Sequence, residues 1–239
     1  MRLGIMQPYF FPYLGHFALI ASVDEWIVFD VTQYTPKTWM NRNRILHPNT
    51  GWQYVSVPLS NSSTSIRTHE ARLVSLANTE RELLGKLTAF RRHAPFYRQA
   101  TELVRTAFAG VRDDSLCALN FSALRAVCEY LGLPFKARIC SELQLEYPAT
   151  MSAGEWAPFI CEALGATSYV NPVSGRELFD PARFSRSGIE LLFAGFGELR
   201  YDPAPFKYEP HLSILDVLLW NSPERITQAL REHTTLIAA

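Results

Sequence analysis

The sequence predicts an α/β fold, a Rossmann-like mostly parallel sheet with an inserted helical region. Three observations lead to this prediction. Short apolar runs alternate with helical patterns at both ends of the chain, as in β-α-β units. The middle of the chain, at about residues 75–132, shows helical periodicity only. The 239 residues are 48% hydrophobic and contain no repeat or flexible linker, which favours one α/β domain over residues 1–239.

The N-terminal part reads as a β-α-β unit followed by a further strand. Residues 3–6 form a short apolar strand, residues 13–22 have a helical pattern, and residues 26–29 form a buried strand that ends at Asp30. Residues 52–59 alternate between polar and apolar side chains, which predicts another strand. Ligands of open α/β sheets bind beyond the carboxyl ends of the strands, so we expect functional groups just after the first two strands.

Helices dominate the middle of the chain, and α/β alternation returns after them. Residues 79–93 place Leu83, Leu87 and Phe90 on one face, and residues 115–131 end at Gly132, a typical helix stop. Further helices are predicted at residues 152–164, at residues 212–220 and from residue 223 onward. Further strands are predicted at residues 135–140, 168–170 and 189–194.

The balance of charges excludes two broad classes of protein. The chain has 23 basic and 23 acidic residues and a formal net charge of zero, which argues against a nucleic-acid-binding protein and against a polybasic membrane protein. No apolar run reaches the ~20 residues that a membrane-spanning helix needs, and the chain does not open with a signal-peptide pattern. We therefore expect a cytoplasmic protein.

The four cysteines show no metal-binding or redox motif. Cys117, Cys128, Cys140 and Cys161 are scattered, without a C-x-x-C pair and without a histidine at zinc-type spacing. No histidine lies near Cys140 in sequence to activate it as a nucleophile. Walker, dinucleotide-binding and H-E-x-x-H motifs are also missing from the sequence. We expect reduced thiols, no bound metal and no cofactor.

The first candidate stretch, residues 7–16 (QPYFFPYLGH), follows the first predicted strand. Its two prolines restrict the backbone and hold the aromatic rings in a fixed order. The amide of Gln7 carries a donor and an acceptor, which suits orienting a carbonyl, an amide or a sugar hydroxyl, and Tyr9 lies close to it in sequence. The alternative is an aromatic cluster that only packs against the edge of the sheet.

Gly15 and His16 also resemble the Gly-His element of nucleotidylyltransferases and class I synthetases. In those enzymes, histidines at a helix start stabilise charge on a transferring phosphate. Here Tyr13 stands where the first histidine of the pair would be, and the only stretch that resembles their second motif, SSTSIR at residues 62–67, comes early in the chain. A second hypothesis is thus a nucleotidyl-transfer enzyme that uses His16, against the alternative of a packed or capping histidine.

The second candidate stretch, residues 30–44, follows the buried strand at residues 26–29. It concentrates polar and aromatic side chains that suit ligand binding: Asp30, Gln33, Trp39, Asn41, Arg42, Asn43 and Arg44. The arginines can hold a phosphate or a carboxylate through two hydrogen bonds, the asparagines can bind hydroxyls or amides, and Trp39 can stack on a ring. Together they predict a polar ligand with an anionic part. The alternative is a turn with solvated arginines.

The third candidate stretch, residues 171–176 (NPVSGR), follows the predicted strand at residues 168–170. Gly175 permits a positive φ, and Ser174 and Arg176 can present donors to an anion. The alternative for this stretch is an ordinary β-turn.

The fourth candidate stretch, residues 206–216 (FKYEPHLSILD), opens a predicted helix. Asp216 is a candidate general base or a partner for an arginine. The alternative is a helix start whose serine caps the backbone.

These stretches, in this order, make the chain similar to the WbqC-like family of bacterial proteins, nearly end to end from about residue 3 to residue 224. The resemblance rests on QPYFFPYLG at residues 7–15, QY at 33–34, WMNRNRI at 39–45, SGR at 174–176 and LSILD at 212–216. The chain departs from the family pattern at two places. DVTQ at residues 30–33 stands where the family usually has paired aspartates before Val-Gln, and His16 stands where it usually has an aromatic residue.

The resemblance implies a tailoring enzyme of O-antigen or other surface-polysaccharide biosynthesis, or of natural-product biosynthesis, because family members lie in such gene clusters. It suggests the attachment of an acyl or aminoacyl group to an amino sugar. We therefore expect a transferase that forms an amide at the amine of a nucleotide-linked amino sugar. Its expected partners are an anionic small-molecule substrate and a carrier of the acyl donor. The third hypothesis is a noncatalytic sugar- or carrier-binding protein.

The leading hypothesis gives each candidate stretch a task. Arg42 and Arg176 hold the phosphates of the donor or nucleotide, and Asp30 or Asp216 accepts the proton of the amine. Side-chain amides orient the reacting amide: Gln7, Gln33 and Asn41. This arrangement requires Gln7, Arg42 and Arg176 to lie around one hollow.

Overall fold

A computed structural model describes residues 1–148 and 150–239. Its strands are β1 (Arg2–Met6), β2 (Glu25–Val28), β3 (Arg42–Leu46), β4 (Trp52–Ser56), β5 (Ala137–Ile139), β6 (Ser168–Pro172), β7 (Glu190–Phe196) and β8 (Thr234–Ala238). Its α-helices are α1 (Leu14–Ile20), α2 (Leu76–Leu87), α3 (Tyr97–Ala109), α4 (Leu116–Leu131), α5 (Trp156–Ala163), α6 (Pro181–Arg186), α7 (Ile214–Trp220) and α8 (Pro223–His233). In the described part of the chain, no helix is long and apolar enough to cross a membrane.

The six-stranded sheet has the order β5-β2-β1-β6-β7-β8. Every neighbouring pair is parallel except β7 and β8, which are antiparallel. The chain first adds strands on one side of β1 and then crosses to add β6 and β7 on the other side. This is the strand order of Rossmann-like folds, with its reversal between β1 and β6. The predicted fold class, a Rossmann-like mostly parallel sheet, is confirmed.

Helices cover both faces of this sheet, because alternate side chains of its strands point to opposite faces. Leu3 and Ile5 of β1 pack in a core cluster with α5 and α6. The larger cluster, on the other face, contains α1, α7 and α8 together with α2, α3 and α4. Gly4 faces this side, where an added Cβ would lie 2.9 Å from the Trp26 ring. Glycine therefore lets the largest side chain of β2 pack flat against β1.

The helical region between β4 and β5 contains one helix more than the sequence analysis identified. Ser75 and Ser115 cap α2 and α4 through their side-chain oxygens, and Gly132 ends α4 with a φ of 64°. The helix expected at residues 79–93 begins at Leu76 and ends at Leu87, followed by a 3₁₀ turn. Helix α3 was not predicted.

Strands β3 and β4 form a separate antiparallel hairpin, and this changes the interpretation of the second candidate stretch. No strand was predicted within residues 30–44, whereas residues from Arg42 onward belong to β3. Strand β8 was also not predicted, since the last helix was expected to continue to the end of the chain. Hydrogen bonding to β7 ends that helix at His233.

Candidate functional site

A cavity of about 390 Å³ opens at the carboxyl ends of β1, β6 and β7. Tyr9 follows β1, Pro172 ends β6, and residues 194–197 end β7, and all of them line the cavity. The cavity therefore lies beside the point where the strand order reverses, which is where open α/β sheets bind their ligands. Its size is within the range of small-molecule sites.

Three of the candidate stretches contribute side chains to this cavity, and the third reaches it only through Pro172. The first contributes Tyr9, Tyr13 and Gly15; the second contributes Trp39, Asn43 and Arg44; the fourth contributes Tyr208, Glu209 and His211. Glycine is required at position 15, because a Cβ there would lie 2.4 Å from the Tyr13 ring. Stretches that are distant in sequence therefore meet at one cavity.

A strained turn in the first stretch is held by side chains of the second and fourth. Phe11 is fully buried and has a φ of 40°, which is unusual for a residue with a side chain. Asn43 Nδ2 donates hydrogen bonds to the carbonyls of Phe10 and Phe11, both at 3.0 Å. The Ser213 hydroxyl donates to the same Phe11 carbonyl at 2.7 Å. The predicted substrate-binding residue Asn43 therefore lines the cavity while its amide group holds the backbone.

A second buried amide joins the first two stretches from behind. Asn120 of α4 is fully buried, and its Nδ2 donates to the carbonyls of Pro8 at 2.7 Å and Met40 at 2.8 Å. The neighbours of these residues, Tyr9 and Trp39, line the cavity. Asn120 therefore fixes the spacing between two walls of the site, although no functional residue was expected in its helix.

Aromatic rings form much of the cavity wall: Tyr9, Tyr13, Trp39, Phe196, Tyr201 and Tyr208. Burial raises the pKa of Tyr9 and Tyr13, and the proximity of Tyr13 adds to the effect at Tyr9. Burial and the hydrogen bond to Glu198 raise the pKa of Tyr208 to about 12. These hydroxyls stay protonated at neutral pH. Those of Tyr9 and Tyr13 can donate hydrogen bonds to a ligand, whereas that of Tyr208 already donates to Glu198.

Arg44 provides a positive charge at the cavity. Its guanidinium lies between two indole rings, 5.4 Å from the ring centre of Trp39 and 5.0 Å from that of Trp52. Its Nη2 also donates to the carbonyl of His211 at 3.4 Å. The contacts with the two rings restrain the guanidinium and leave Nη N–H groups available for a ligand.

Two carboxylates line the cavity, and they differ in their surroundings. Glu198 accepts hydrogen bonds from Arg200 Nε at 2.6 Å and from the Tyr208 hydroxyl at 3.0 Å. Glu209 is half-buried and makes no hydrogen bond or ion pair with residues 1–148 or 150–239. Glu209 is therefore the carboxylate that a ligand in the cavity can engage.

The predicted base Asp216 lies behind the wall of the cavity and not on it. Its side chain is fully buried in the first turn of α7, and Oδ2 accepts the backbone N–H of Leu46 at 3.0 Å. Burial raises the pKa of Asp216 to about 8, and the single hydrogen bond lowers it only in part. At neutral pH the carboxyl is mostly protonated, so it has little capacity to accept a proton.

The other predicted base, Asp30, binds the loop after β5. Its Oδ1 accepts the Ser141 N–H at 2.9 Å, and its Oδ2 accepts the Ser141 hydroxyl at 2.6 Å and the Cys117 thiol at 3.7 Å. Asp30 is buried and does not line the cavity. Its carboxylate is occupied by donors that join β2 to the turn following β5.

His16 is buried in α1 among aromatic rings. Its ring centre lies 5.0 Å from that of Trp26 and 5.5 Å from that of Tyr9, and Nε2 has no hydrogen-bond partner among the described residues. Burial lowers the pKa of His16 to about 3, so the ring is uncharged at neutral pH. An uncharged, enclosed imidazole cannot supply the positive charge that the nucleotidyl-transfer hypothesis requires.

The amides predicted to orient the substrate lie outside the cavity. Gln7 is half-buried after β1, and Gln33 donates to the carbonyl of Thr64 from an exposed loop. Asn41 pairs with Val57 through a backbone hydrogen bond of 2.7 Å and a side-chain bond of 3.4 Å. In the structure Gln33 and Asn41 hold neighbouring loops, and neither they nor Gln7 line the cavity.

The two arginines expected to hold phosphates are apart from the cavity as well. The Arg42 guanidinium lies 4.3 Å from the centre of the Tyr54 ring, and that of Arg176 lies 5.5 Å from the Phe193 ring. Gln7, Arg42 and Arg176 therefore do not line this cavity together, contrary to the expectation. On the exposed hairpin face it is Arg44 that reaches the cavity.

The third stretch folds as a 3₁₀ helix after β6, and its expected backbone geometry is wrong. Gly175 does not have a positive φ; instead, a Cβ there would lie 2.2 Å from the Asn171 side-chain nitrogen. Ser174 and Arg176 are exposed and do not line the cavity. Close packing against Asn171, and not turn geometry, explains the glycine.

Glu209 and Tyr13 were not predicted as site residues, although both lie within the candidate stretches. The signal for Glu209 was its position between Tyr208 and Pro210 in a polar segment that precedes a helix.

Among the described residues, no three His, Cys, Asp or Glu side chains come together as a metal site would require. The cavity therefore offers aromatic rings, hydroxyl donors, one stacked guanidinium and one free carboxylate.

Comparison with known proteins agrees with the resemblance drawn from the sequence. The chain is 28% identical to the uncharacterized protein Rv1507c of Mycobacterium tuberculosis (strain ATCC 25618 / H37Rv) over 218 residues, which cover 91% of this chain and 92% of that protein. No solved structure is significantly similar to the chain. The model of the WbqC-like protein family matches residues 7–228, a range that includes all four candidate stretches. The chain belongs to the WbqC-like protein family.

Proposed function

We propose that this protein is a transferase that moves an acyl or aminoacyl group onto an amine, and that the cavity beside β1 and β6 binds the amine-bearing substrate. The observation that carries the proposal is the position of Glu209, a carboxylate without a protein partner in the described chain, in an aromatic cavity that also contains Arg44. The family resemblance supports an amino sugar linked to a nucleotide as the substrate, in surface-polysaccharide or natural-product tailoring.

The composition of the wall suits a sugar ring. Rings such as Tyr13 and Trp39, each 40% exposed, offer flat apolar surfaces for the C–H faces of a sugar. The protonated tyrosine hydroxyls supply donors, and Glu209 attracts an ammonium group. Arg44 supplies a fixed charge for an anionic part of the substrate, such as a phosphate.

The proposed reaction needs one proton acceptor and one stabilised oxygen. The amine nitrogen attacks the carbonyl carbon of the activated acyl group, a C–N bond forms, and the leaving group departs with its bonding electrons. Glu209 accepts one proton from the bound ammonium group, which leaves the neutral amine that attacks, and the nitrogen loses its second proton to the leaving group as the amide forms. A tyrosine hydroxyl donates a hydrogen bond to the carbonyl oxygen as its negative charge develops. Asp30 and Asp216 have no place in this scheme because neither reaches the cavity.

A binding experiment with two matched ligands tests the recognition of the amine. UDP-glucosamine and UDP-glucose differ in the amine at C2, and calorimetry gives both affinities. We expect the wild type to prefer UDP-glucosamine and Glu209→Gln to bind both ligands equally. Glu190→Gln is the control, since Glu190 is exposed at the amino end of β7, opposite the cavity. Unchanged discrimination in Glu209→Gln would contradict the proposed role of Glu209.

A turnover experiment tests the transfer itself. With acetyl-CoA as donor and UDP-glucosamine as acceptor, mass spectrometry detects the amide product. Loss of a positioned base lowers rates by ~10²–10⁴-fold, so we expect a decrease of this order in Glu209→Gln and none in Glu190→Gln. Amine-specific binding without turnover by any acyl donor would instead indicate the noncatalytic sugar-binding protein.

A further inference from the structure

A basic segment lies between the helices of the inserted region. From residue 83 to residue 101 the chain contains Lys86, Arg91, Arg92, His93 and Arg98 and no acidic residue. The whole chain is neutral, so this segment is a local concentration of positive charge. Such a concentration favours a partner with a local acidic face.

The side chains of the turn between α2 and α3 are free to meet a partner. Arg91, Arg92 and His93 are exposed, and none of them takes part in an ion pair within the described residues. Lys207 is exposed on the neighbouring loop and is likewise unpaired there. We call these four residues, Arg91, Arg92, His93 and Lys207, the basic surface. The nearest acidic residues in sequence are Glu82 in α2 and Glu102 in α3, on either side of the turn, and Glu209, two residues after Lys207.

The basic surface is joined to the wall of the cavity. The Phe206 ring packs edge-on against the rings of Phe90, at 5.1 Å, and His93, at 5.6 Å. Lys207 is the next residue, and Tyr208 and Glu209 after it line the cavity. A partner bound to the basic surface is therefore positioned beside the cavity without blocking its other walls.

We infer that the basic surface docks an acidic carrier protein that delivers the acyl donor to the cavity. This inference rests on the proposed transferase, which needs an activated acyl group from outside the chain. None of the four residues lines the cavity, so they are placed to contact the body of a carrier and not a small donor bound within the cavity. Charged residues at the rim of an interface steer association and make it depend on salt.

Charge reversal tests the docking directly. The probes are a purified acidic acyl carrier protein with an acetylated phosphopantetheine arm and the same protein without the arm, measured by fluorescence anisotropy in 50 mM and 500 mM NaCl. We expect binding at low salt, a decrease in affinity of about tenfold or more in Arg91→Glu/Arg92→Glu, and weaker binding of both proteins at high salt. Lys207→Glu reverses the charge on the other element and should act in the same direction.

The matched control reverses two exposed arginines elsewhere, Arg112→Glu and Arg231→Glu, and should leave the affinity for the carrier unchanged. Absence of carrier binding, or equal affinity in wild type, Arg91→Glu/Arg92→Glu and Lys207→Glu, would overturn the inference. Turnover of free acetyl-CoA separates this failure from failure of the proposed function. If free acetyl-CoA is turned over and the carrier does not bind, the proposed transferase is supported and the docking is refuted. If the carrier binds and no donor is turned over, the docking is supported and the proposed transferase is refuted.

Discussion

Replacing Asp216 by asparagine should change how the stability of the protein depends on pH. Asp216 is fully buried, and its only hydrogen bond within the described chain is from the Leu46 N–H to Oδ2, while Oδ1 has no partner. Burial raises the pKa of Asp216 to about 8. In the unfolded chain an aspartate has a pKa of about 3.9. Between these values the folded protein holds a proton at this residue that the unfolded chain has released.

The size of the effect follows from that one proton. A proton bound only in the folded state makes the free energy of unfolding fall by about 1.4 kcal/mol for each unit of rising pH. This loss of stability begins near the pKa of the unfolded state and ends near the pKa of the folded state. Asp216 should therefore lower the free energy of unfolding by about 2.7 kcal/mol between pH 5 and pH 7. In Asp216→Asn the amide oxygen can still accept the Leu46 N–H, but the residue no longer titrates.

Urea unfolding of both proteins at pH 5, 6 and 7 gives the required free energies. Subtracting the wild type from Asp216→Asn cancels the other titrating groups, including His16, whose lowered pKa acts in the opposite direction below pH 6.5. We expect the free energy of unfolding of Asp216→Asn, relative to that of the wild type, to increase by about 2.7 kcal/mol from pH 5 to pH 7. An equal difference at both pH values would show that Asp216 is ionised in the folded protein, and it would refute the raised pKa of Asp216.

Two further substitutions test the scaffold of the site. Asn43→Ala removes both hydrogen bonds to the carbonyls of Phe10 and Phe11. We expect urea unfolding to show a free energy of unfolding lower by about 1–3 kcal/mol, and calorimetry to show weaker binding of UDP-glucosamine. The exposed control Asn49→Ala should change neither quantity. His16→Leu removes an imidazole with a pKa lowered to about 3, which stays neutral when folded but protonates below about 6.5 when unfolded. The wild type therefore loses stability as the pH falls from 6.5 toward 3, and His16→Leu should lose about 3 kcal/mol less between pH 6.5 and pH 4 with ligand binding retained. A loss of binding in His16→Leu at unchanged stability would support the nucleotidyl-transfer hypothesis.

The central strands of the sheet could be predicted from the sequence because they are buried on both faces. All four residues of β2 are buried, and residues 169–170 of β6 and 191–193 of β7 are short buried apolar runs between helical patterns. The apolar residues of α3 also recur at helical spacing, from Ala100 to Phe108, and follow Pro95. This spacing is typical of an amphipathic helix, so the sequence does contain a signal for α3. Strand β8 left no such signal, since it is mostly exposed and forms through hydrogen bonds to β7.

The meeting of the candidate stretches was easier to predict than the roles of their side chains. The role of a side chain in residues 42–46 depends on β3 being a strand, and the polar sequence RNRIL conceals this. In a strand, Arg42 and Arg44 share one face and Asn43 points to the other. That alternation sends Asn43 to the backbone of the first stretch and leaves the two arginines on the outer face, where only Arg44 is close enough to line the cavity.

Some polar residues of the candidate stretches hold the backbone in place, and others are available to a ligand. The first group determines the shape of the cavity, and the second determines which ligand binds in it. Asn43 and Ser213 bind the carbonyl of the strained residue Phe11, so they determine the shape of the cavity. Glu209 binds no protein group within the described chain, so its charge is available to determine which ligand fits that shape. Asn43→Ala should therefore weaken the binding of UDP-glucosamine and UDP-glucose by the same factor, because both ligands contact the same cavity walls. Glu209→Gln should change the ratio of the two affinities, because only UDP-glucosamine carries the amine. If Asn43→Ala changed that ratio and Glu209→Gln weakened the binding of both ligands equally, Asn43 would recognise the amine and Glu209 would determine the shape of the cavity.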